Sequence, residues 1–151
     1  MKCTFGVPAG QLLGYYISER GIEANPKKIS AILTMQRPTN VRQVQQLAGR
    51  VAALSRFISK LGEKALPFYQ LLRKSEKFEW TDEAQRASEH LKVLLSTSPI
   101  LVTPHDKEPL LLYIAATNQV VSTVLVVERP KEGHVYNVQR PIYYLSEVLT
   151  P

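Results

Sequence analysis

The side chains best suited to chemistry in this sequence are the lysines and arginines of one segment. Between Pro26 and Lys77 there are eleven of these bases and only two acids, in a chain whose net charge is +6. Between Pro26 and Ile58 there is no acid at all. Opposite charges three or four residues apart stabilise a helix, whereas like charges repel unless an anion lies nearby. The segment is therefore a candidate phosphate-binding surface.

The most strongly patterned helix of the sequence lies inside this basic segment. At about 100° per residue, apolar side chains fall on one face and predict a helix from Val41 to about Ser59. The apolar face consists of Val41, Val44, Leu47, Ala48, Val51, Leu54 and Ile58. The opposite face consists of Arg42, Gln45, Gly49, Ala53, Arg56 and Lys60.

Gly49 is the unusual member of the polar face. A glycine inside a helix costs about 1 kcal/mol relative to alanine, and it lets another backbone come close. Gln45, one turn earlier, offers both a donor and an acceptor. The candidate phosphate contacts are Arg42, Arg50, Arg56 and Lys60. This face fits a nucleic-acid groove, and a solvated basic face with an incidental glycine explains the same pattern equally well.

Other signals place this helix in an α+β chain. Residues 1–23 predict a β-hairpin with its turn at Pro8-Ala9-Gly10. Asn25-Pro26 predicts the start of a helix that ends near Met35. Further helices are predicted from Glu63 to Lys74 and after the capping residue Thr81. The β-type runs are Ile100–Thr103, Leu110–Ala116, Val120–Glu128 and Val138–Leu145.

Composition excludes several classes of protein. A single cysteine, Cys3, rules out an internal disulfide framework, and the three histidines lack metal-ligand spacing. No apolar run approaches the roughly 20 residues that span a bilayer, and the amino terminus does not look like a signal peptide. We expect a soluble protein of a reducing compartment, with no membrane partner. Because an isolated hairpin is marginal in water, we also expect further chain upstream of Met1.

Several short motifs, taken together, resemble one family. They are Lys2-Cys3-Thr4-Phe5-Gly6, Leu12 to Ser18 with Gly21-Ile22, Pro26-Lys27-Lys28-Ile29, Val44 to Gly49, Arg56-Phe57-Ile58, Pro67 with Leu71-Leu72, Phe78-Glu79-Trp80-Thr81, and Ser98-Pro99-Ile100-Leu101. In this order and spacing they resemble the reverse transcriptases of Ty3/gypsy retrotransposons over essentially the whole chain. The resemblance implies three parts: the end of the palm with its hairpin (1–24), a helical thumb (25–77), and the first part of a ribonuclease H-like connection domain (78–151). The last part implies a partial mixed β-sheet with a flanking helix.

The resemblance also implies roles for individual residues. Leu13, Gly14 and Tyr15 stand where the family's primer grip places a hairpin against the primer terminus. The helix from Val41 looks like the thumb helix that follows the minor groove of the template-primer duplex. Ala53 stands where retroviral relatives carry an aromatic residue. The implied partners are an RNA-DNA or DNA duplex and the rest of the polyprotein, in a cytoplasmic particle or in the nucleus.

The catalytic carboxylates of the family are missing from this sequence. The polymerase aspartates of the Tyr-x-Asp-Asp turn would precede Met1. The first ribonuclease H strand of active members carries Tyr-x-Asp-Ala-Ser, and this chain has Tyr113-Ile114-Ala115-Ala116-Thr117. Alanine cannot ligate the Mg²⁺ that the parent enzyme uses. We therefore expect no metal or other cofactor in this fragment, and no catalysis by the fragment alone.

Two other interpretations stay open. In the first, the chain is an active ribonuclease H with unconventional metal ligands, for which Asp106 and Glu108 are the candidates. In the second, it is a decayed gene fragment without function. Trp80 is predicted to be a core residue and not a base-stacking platform.

Overall fold

The described residues form two three-stranded antiparallel sheets joined by five α-helices. The structure is a computed structural model that describes Cys3 and residues 5–73, 77–97 and 100–149. The first sheet contains β1 (Ala9–Leu12), β2 (Tyr15–Ser18) and β3 (Gly21–Ala24), and the second contains β4 (Leu111–Ala116), β5 (Val120–Arg129) and β6 (Val138–Val148). The helices are α1 (Pro26–Leu33), α2 (Val41–Ala52), α3 (Leu61–Lys64), α4 (Leu66–Arg73) and α5 (Asp82–Ser96). The predicted α+β class is confirmed.

The first sheet corrects the predicted position of the turn. Ala9 and Gly10 lie within β1, so the prediction of a turn at Pro8-Ala9-Gly10 is wrong. The chain reverses instead at Leu13 and Gly14, whose φ angles are +51° and +82°. Two successive left-handed residues between paired strands are typical of a type I′ hairpin turn, which glycine accommodates without strain. A third strand, which was not predicted, extends the hairpin into a meander.

Polar side chains begin three of the helices, and two of these caps, Asn25 and Thr81, were predicted. Asn25 accepts a hydrogen bond from the Lys27 N–H at 2.9 Å, and Asn40 accepts one from the Gln43 N–H at 3.0 Å. Thr81 accepts one from the Ala84 N–H at 3.2 Å. Each bond satisfies one backbone donor that the first helical turn leaves without a partner.

The helix α2 is shorter than predicted. It ends at Ala52, and a 3₁₀ turn, Ser55–Phe57, follows it. The apolar residues Leu54 and Ile58 are buried as predicted, but they reach the core through this tighter turn. The predicted helix from Glu63 to Lys74 is divided at Ala65 into α3 and α4, and its last residue, Lys74, lies outside the described residues.

One hydrophobic core joins the helices. Its largest fully buried members include Phe68, Ile32, Leu54, Leu91 and Leu95. Trp80 is 6% exposed and stacks on Phe68 with ring centroids 6.0 Å apart. The prediction that Trp80 is a core residue is therefore confirmed.

The second sheet packs on the helical part at a glycine. The Gly62 N–H donates to Ser146 Oγ at 2.8 Å, and a Cβ at Gly62 would lie 2.7 Å from Val120 Cγ1. Only a residue without a side chain allows α3 this close to the sheet.

Both strand pairs of the second sheet are antiparallel, so the expected mixed sheet is corrected for the described strands. A mixed sheet would need a parallel strand beside one of these edges.

One short segment joins the two sheets. The predicted strand Ile100–Thr103 is reduced to an isolated bridge, in which the Leu101 N–H donates to Ile22 O at 2.9 Å and the Ile22 N–H donates to Leu101 O at 2.8 Å. The next residue, Val102, donates to Pro141 O in β6 at 3.0 Å. Adjacent residues thus fasten the edge of the first sheet to the second.

Candidate nucleic-acid interface

The turn between β1 and β2 projects from the first sheet. Leu13 is 87% exposed although it is a large apolar residue in a left-handed conformation. An exposed leucine in this conformation gains neither burial nor an unstrained backbone. Beside it, a Cβ built on Gly14 would lie 3.3 Å from Lys28 Nζ, so the lysine ammonium lies against the turn.

The polar face of α2 lies open to solvent. Arg42, Gln45 and Gly49 are exposed, and a Cβ built on Gly49 would meet no atom within 4 Å. No neighbour within the described chain therefore requires a glycine at this position. Arg50 is also exposed, and its Nη1 donates to Ala31 O at 2.9 Å, which orients the guanidinium along the groove between α2 and α1.

Lys28 connects the turn to this groove. An open groove of about 460 Å³ is lined by Lys28, Ala31, Gln46, Gly49, Arg50 and Ala53. Because Lys28 also lies beside Gly14, the turn and the exposed face of α2 form one continuous surface. Lys28 was not among the predicted site residues. Its signal in the sequence was membership of the acid-free segment, and its proximity to Gly14 depends on tertiary contacts.

Arg56 and Lys60 do not lie on α2. Arg56 belongs to the 3₁₀ turn, and its guanidinium carbon lies 5.1 Å from the ring centroid of Tyr15 and 5.0 Å from that of Tyr143. Lys60 precedes α3 in a left-handed conformation. The predicted face Arg42 to Lys60 is therefore corrected, because α2 ends before its last two bases.

Lys60 has a second lysine beside it. Burial, with a smaller contribution from the Lys60 charge, lowers the pKa of Lys64. The Lys64 ammonium is fixed by donating to both the carbonyl and the hydroxyl oxygen of Ser59. Lys60 itself is exposed, with no carboxylate partner among the described residues.

Ala115 lies in β4, opposite Ser122 of β5. The adjacent cavity, about 320 Å³, is lined by Ser59, Lys60, Tyr113, Ile114, Ala115, Ser122, Thr123, Val124 and Tyr144. No carboxylate is in this set, and a lysine is. Residues of this kind do not fit Mg²⁺, which prefers oxygen ligands that include carboxylates.

Glu108 and Asp106, the candidate replacements for the missing aspartate, do not line the cavity beside Ala115. Glu108 Oε1 accepts a bond from Arg129 Nε and Glu108 Oε2 accepts one from Arg129 Nη2, each at 2.7 Å. These bonds, with one from the His105 N–H, lower the pKa of Glu108 to about 2. Asp106 lies in an exposed turn before β4. Within the described ranges, no three His, Cys, Asp or Glu side chains are placed to hold a metal ion.

The comparisons with protein families and with known sequences agree with each other. Residues 80–151 match the family described as RNase H-like domain found in reverse transcriptase. Over 124 residues, 82% of the chain, the sequence is 31% identical to the transposon Tf2-3 and Tf2-4 polyproteins of Schizosaccharomyces pombe. The chain spans 9% of the length of these relatives.

Solved structures support the same fold. The chain is similar to the foamy viral protease-reverse transcriptase in complex with dsDNA, with a TM-score of 0.72 and 23% identity over 94% of this chain and 29% of that one. It is also similar to the same kind of protein in complex with an RNA/DNA hybrid, with a TM-score of 0.73 and 22% identity over 95% of this chain and 19% of that one. In the part of the chain that the structure describes, no helix is long and apolar enough to cross a membrane.

Proposed function

Because this chain is a segment of the Ty3/gypsy-type retrotransposon reverse transcriptase family, with a ribonuclease H-like domain over residues 80–151, we propose that it grips the template-primer duplex. The gripping surface is the Leu13–Gly14 turn, Tyr15, Lys28 and the exposed face of α2. Arg42, Gln45, Gly49 and Arg50 supply that face, and Lys60 adds a cation beside the second sheet.

The observation that carries the proposal is Gly49. It lies in the middle of a helix, between exposed bases, with open space where its Cβ would be. A helix-interior glycine costs stability that no contact within the described chain repays. A nucleic-acid backbone approaching α2 would use that space, while Arg42 and Arg50 contact phosphates and Gln45 contacts sugar or base edges. Two structurally similar proteins were solved in complex with dsDNA and with an RNA/DNA hybrid, which supports a duplex as the proposed partner.

We further propose that this segment contributes no catalytic metal ligands. Ala115 offers a methyl group at the position of the expected aspartate, and Lys60 lines the same cavity. Mg²⁺-dependent polymerisation and cleavage then belong to other parts of the polyprotein. The second sheet serves as a connection between the thumb and those parts.

The rest of the polyprotein is the second proposed partner. All residues of β4 are exposed, and Leu112 and Ile114 are 61% and 66% exposed. An apolar edge strand left open would pair with other chains. We propose that further polyprotein residues cover β4.

Replacing Arg42 by Gln tests the phosphate contact. Affinity for an RNA-DNA hybrid should fall, and the slope of log K against log salt should become shallower by about 0.9. The reason is that the variant makes one phosphate contact fewer, so its binding releases about one condensed cation fewer. Fluorescence anisotropy across a salt series measures both quantities. Arg86→Gln on α5 makes the same charge change outside the proposed surface and should leave the slope unchanged. Equal slopes in the wild-type protein and the Arg42→Gln variant would reject the contact.

A further inference from the structure

Arg56 occupies a position that the gripping surface does not require. Its guanidinium carbon is within 5.1 Å of the Tyr15 centroid and within 5.0 Å of the Tyr143 centroid. Both distances lie inside the roughly 6 Å range of cation–π attraction, and a planar guanidinium can stack on a ring at each face. In the described chain Arg56 has no carboxylate partner. The guanidinium therefore packs on two aromatic rings and pairs with no carboxylate of the described chain.

The two rings belong to different sheets. Tyr15 is the first residue of β2 and directly follows Gly14 of the turn, and its ring also contacts Phe57 at 5.8 Å. Tyr143 lies in β6, opposite Leu125 of β5. Arg56 itself lies between α2 and α3. One side chain thus bridges the proposed primer-grip turn, the helical part and the ribonuclease H-like sheet.

A second bridge between the sheets limits how they can move. The backbone bonds of Leu101 and Val102 fasten β3 to β6. Gly62 also packs α3 on the second sheet, but neither attachment touches β2, which begins directly after the turn. The contacts of Arg56 with Tyr15 and Tyr143 hold β2 to β6 and so limit rotation of the turn against the second sheet.

We propose that Arg56 is a positioning residue: it holds the Leu13–Gly14 turn at a fixed angle to the ribonuclease H-like sheet, and it does not contact phosphate. This inference rests on the proposed gripping function, and it replaces the expectation that Arg56 binds nucleic acid directly. The turn is then held in place by the ribonuclease H-like sheet before the duplex binds, and binding does not have to order it.

Charge-preserving and charge-removing variants separate the two roles. Arg56→Lys keeps the charge but loses the planar stacking group, and Arg56→Gln loses both. We expect each to lower affinity for an RNA-DNA hybrid by about 3- to 10-fold, with the salt slope unchanged. A phosphate contact would behave differently: Lys would retain most of the affinity, and Gln would reduce the slope by about 0.9. Either of those results overturns the proposal.

Tyr143→Leu provides the matched test at the other ring. It should lower affinity to a similar extent without a change of slope, and the double variant with Arg56→Gln should bind no more weakly than either single variant. Additive losses, or no loss in Tyr143→Leu, would contradict the proposal. A cooperative thermal transition in each variant confirms that it folds.

A distance measurement reports the coupling without nucleic acid. Spin labels at Leu12→Cys and Leu145→Cys, in a Cys3→Ser background, lie on the two sheets at exposed positions. The distance distribution should broaden in Arg56→Gln and stay narrow in Arg42→Gln; equal widths would contradict the proposal.

The salt slopes of the two variants distinguish failure of the gripping function from failure of the positioning role. If Arg42→Gln leaves the salt slope unchanged, the gripping function has failed. If it lowers the slope and Arg56→Gln lowers it equally, only the positioning role has failed.

Discussion

At Gly49, a substitution is expected to change protein stability and nucleic-acid binding in opposite directions. The open space above it means that a methyl group would fit without a clash. Its conformational freedom in the unfolded chain is the cost that alanine would remove.

Gly49→Ala should raise the free energy of unfolding by up to about 1 kcal/mol, and it should weaken binding to the hybrid because the added methyl group occupies the space of the approaching backbone. Urea denaturation and anisotropy measure the two effects. The control is Ala52→Gly at the end of the same helix, which lies outside the groove and should destabilise the protein without weakening binding. A Gly49→Ala variant that binds as well as wild type would show that the glycine is incidental.

Glu108 stabilises the loop before β4 through its charge. Hydrogen bonds from Arg129, and then from the His105 backbone, lower its pKa to about 2 from the ordinary value of 4.5. A depressed carboxylate pKa favours the folded state above the unfolded pKa, and this contribution is lost as the pH falls through the folded pKa.

Stability should therefore decline between about pH 4.5 and pH 2, and Glu108→Gln should show a smaller decline over that range. Urea midpoints measured at several pH values give the comparison. Glu132→Gln, which changes an exposed acid in the loop between β5 and β6, should follow the wild-type curve. An identical curve for Glu108→Gln would exclude the ion pair with Arg129 as a source of acid sensitivity.

The turn between β1 and β2 retains an unfavourable residue at its tip. Leu13 is left-handed and exposed, whereas asparagine adopts this conformation more easily. Strain of this kind is often found at functional sites.

Leu13→Asn should stabilise the protein by up to about 1 kcal/mol, and if the turn grips the duplex as proposed, it should lower affinity because the exposed apolar side chain is lost. Thermal unfolding and hybrid binding are the two measurements. Arg20→Asn, in the exposed turn between β2 and β3, is the control for a change in this sheet. Unchanged affinity in Leu13→Asn would remove the turn from the gripping surface.

Helix starts could be predicted from the sequence because they depend on local chemistry. Asn25, Asn40 and Thr81 each accept a hydrogen bond from a backbone N–H two or three residues later. The end of α2 could not be predicted, because Leu54 and Ile58 continue the helical spacing of apolar residues while the backbone turns more tightly. Only contacts with the core decide between those two paths.

The tip of the hairpin was hidden for a related reason. Leu12 to Ile17 is an apolar run interrupted by Gly14 alone, whereas Pro8-Ala9-Gly10 carries two of the common turn residues. The left-handed Leu13 overrides this local preference. The same limitation applies to Arg56. Its spacing predicts a position on a helical face, but the two tyrosine rings that it contacts lie in β2 and β6, which are distant in sequence.

At the scale of the whole described chain, the contacts between its parts support the proposed arrangement of a gripping surface attached to a connection. Helix α3 lies against β5 and β6 at Gly62, Leu101 and Val102 fasten the two sheets, and Arg56 bridges them on a different strand. These contacts let the ribonuclease H-like sheet fix the orientation of the gripping surface even though Ala115 gives it no metal ligand. In this account, the sheet is retained for position and not for cleavage.

Binding of the purified chain to a labelled RNA-DNA hybrid tests this account most directly. The measurement uses a salt series with Mg²⁺ present, and the strands are examined for cleavage afterwards. The account predicts affinity that falls steeply with salt and strands that stay intact. Cleaved RNA would contradict the assignment of catalysis to other parts of the polyprotein, and affinity that does not change with salt would contradict the phosphate grip itself.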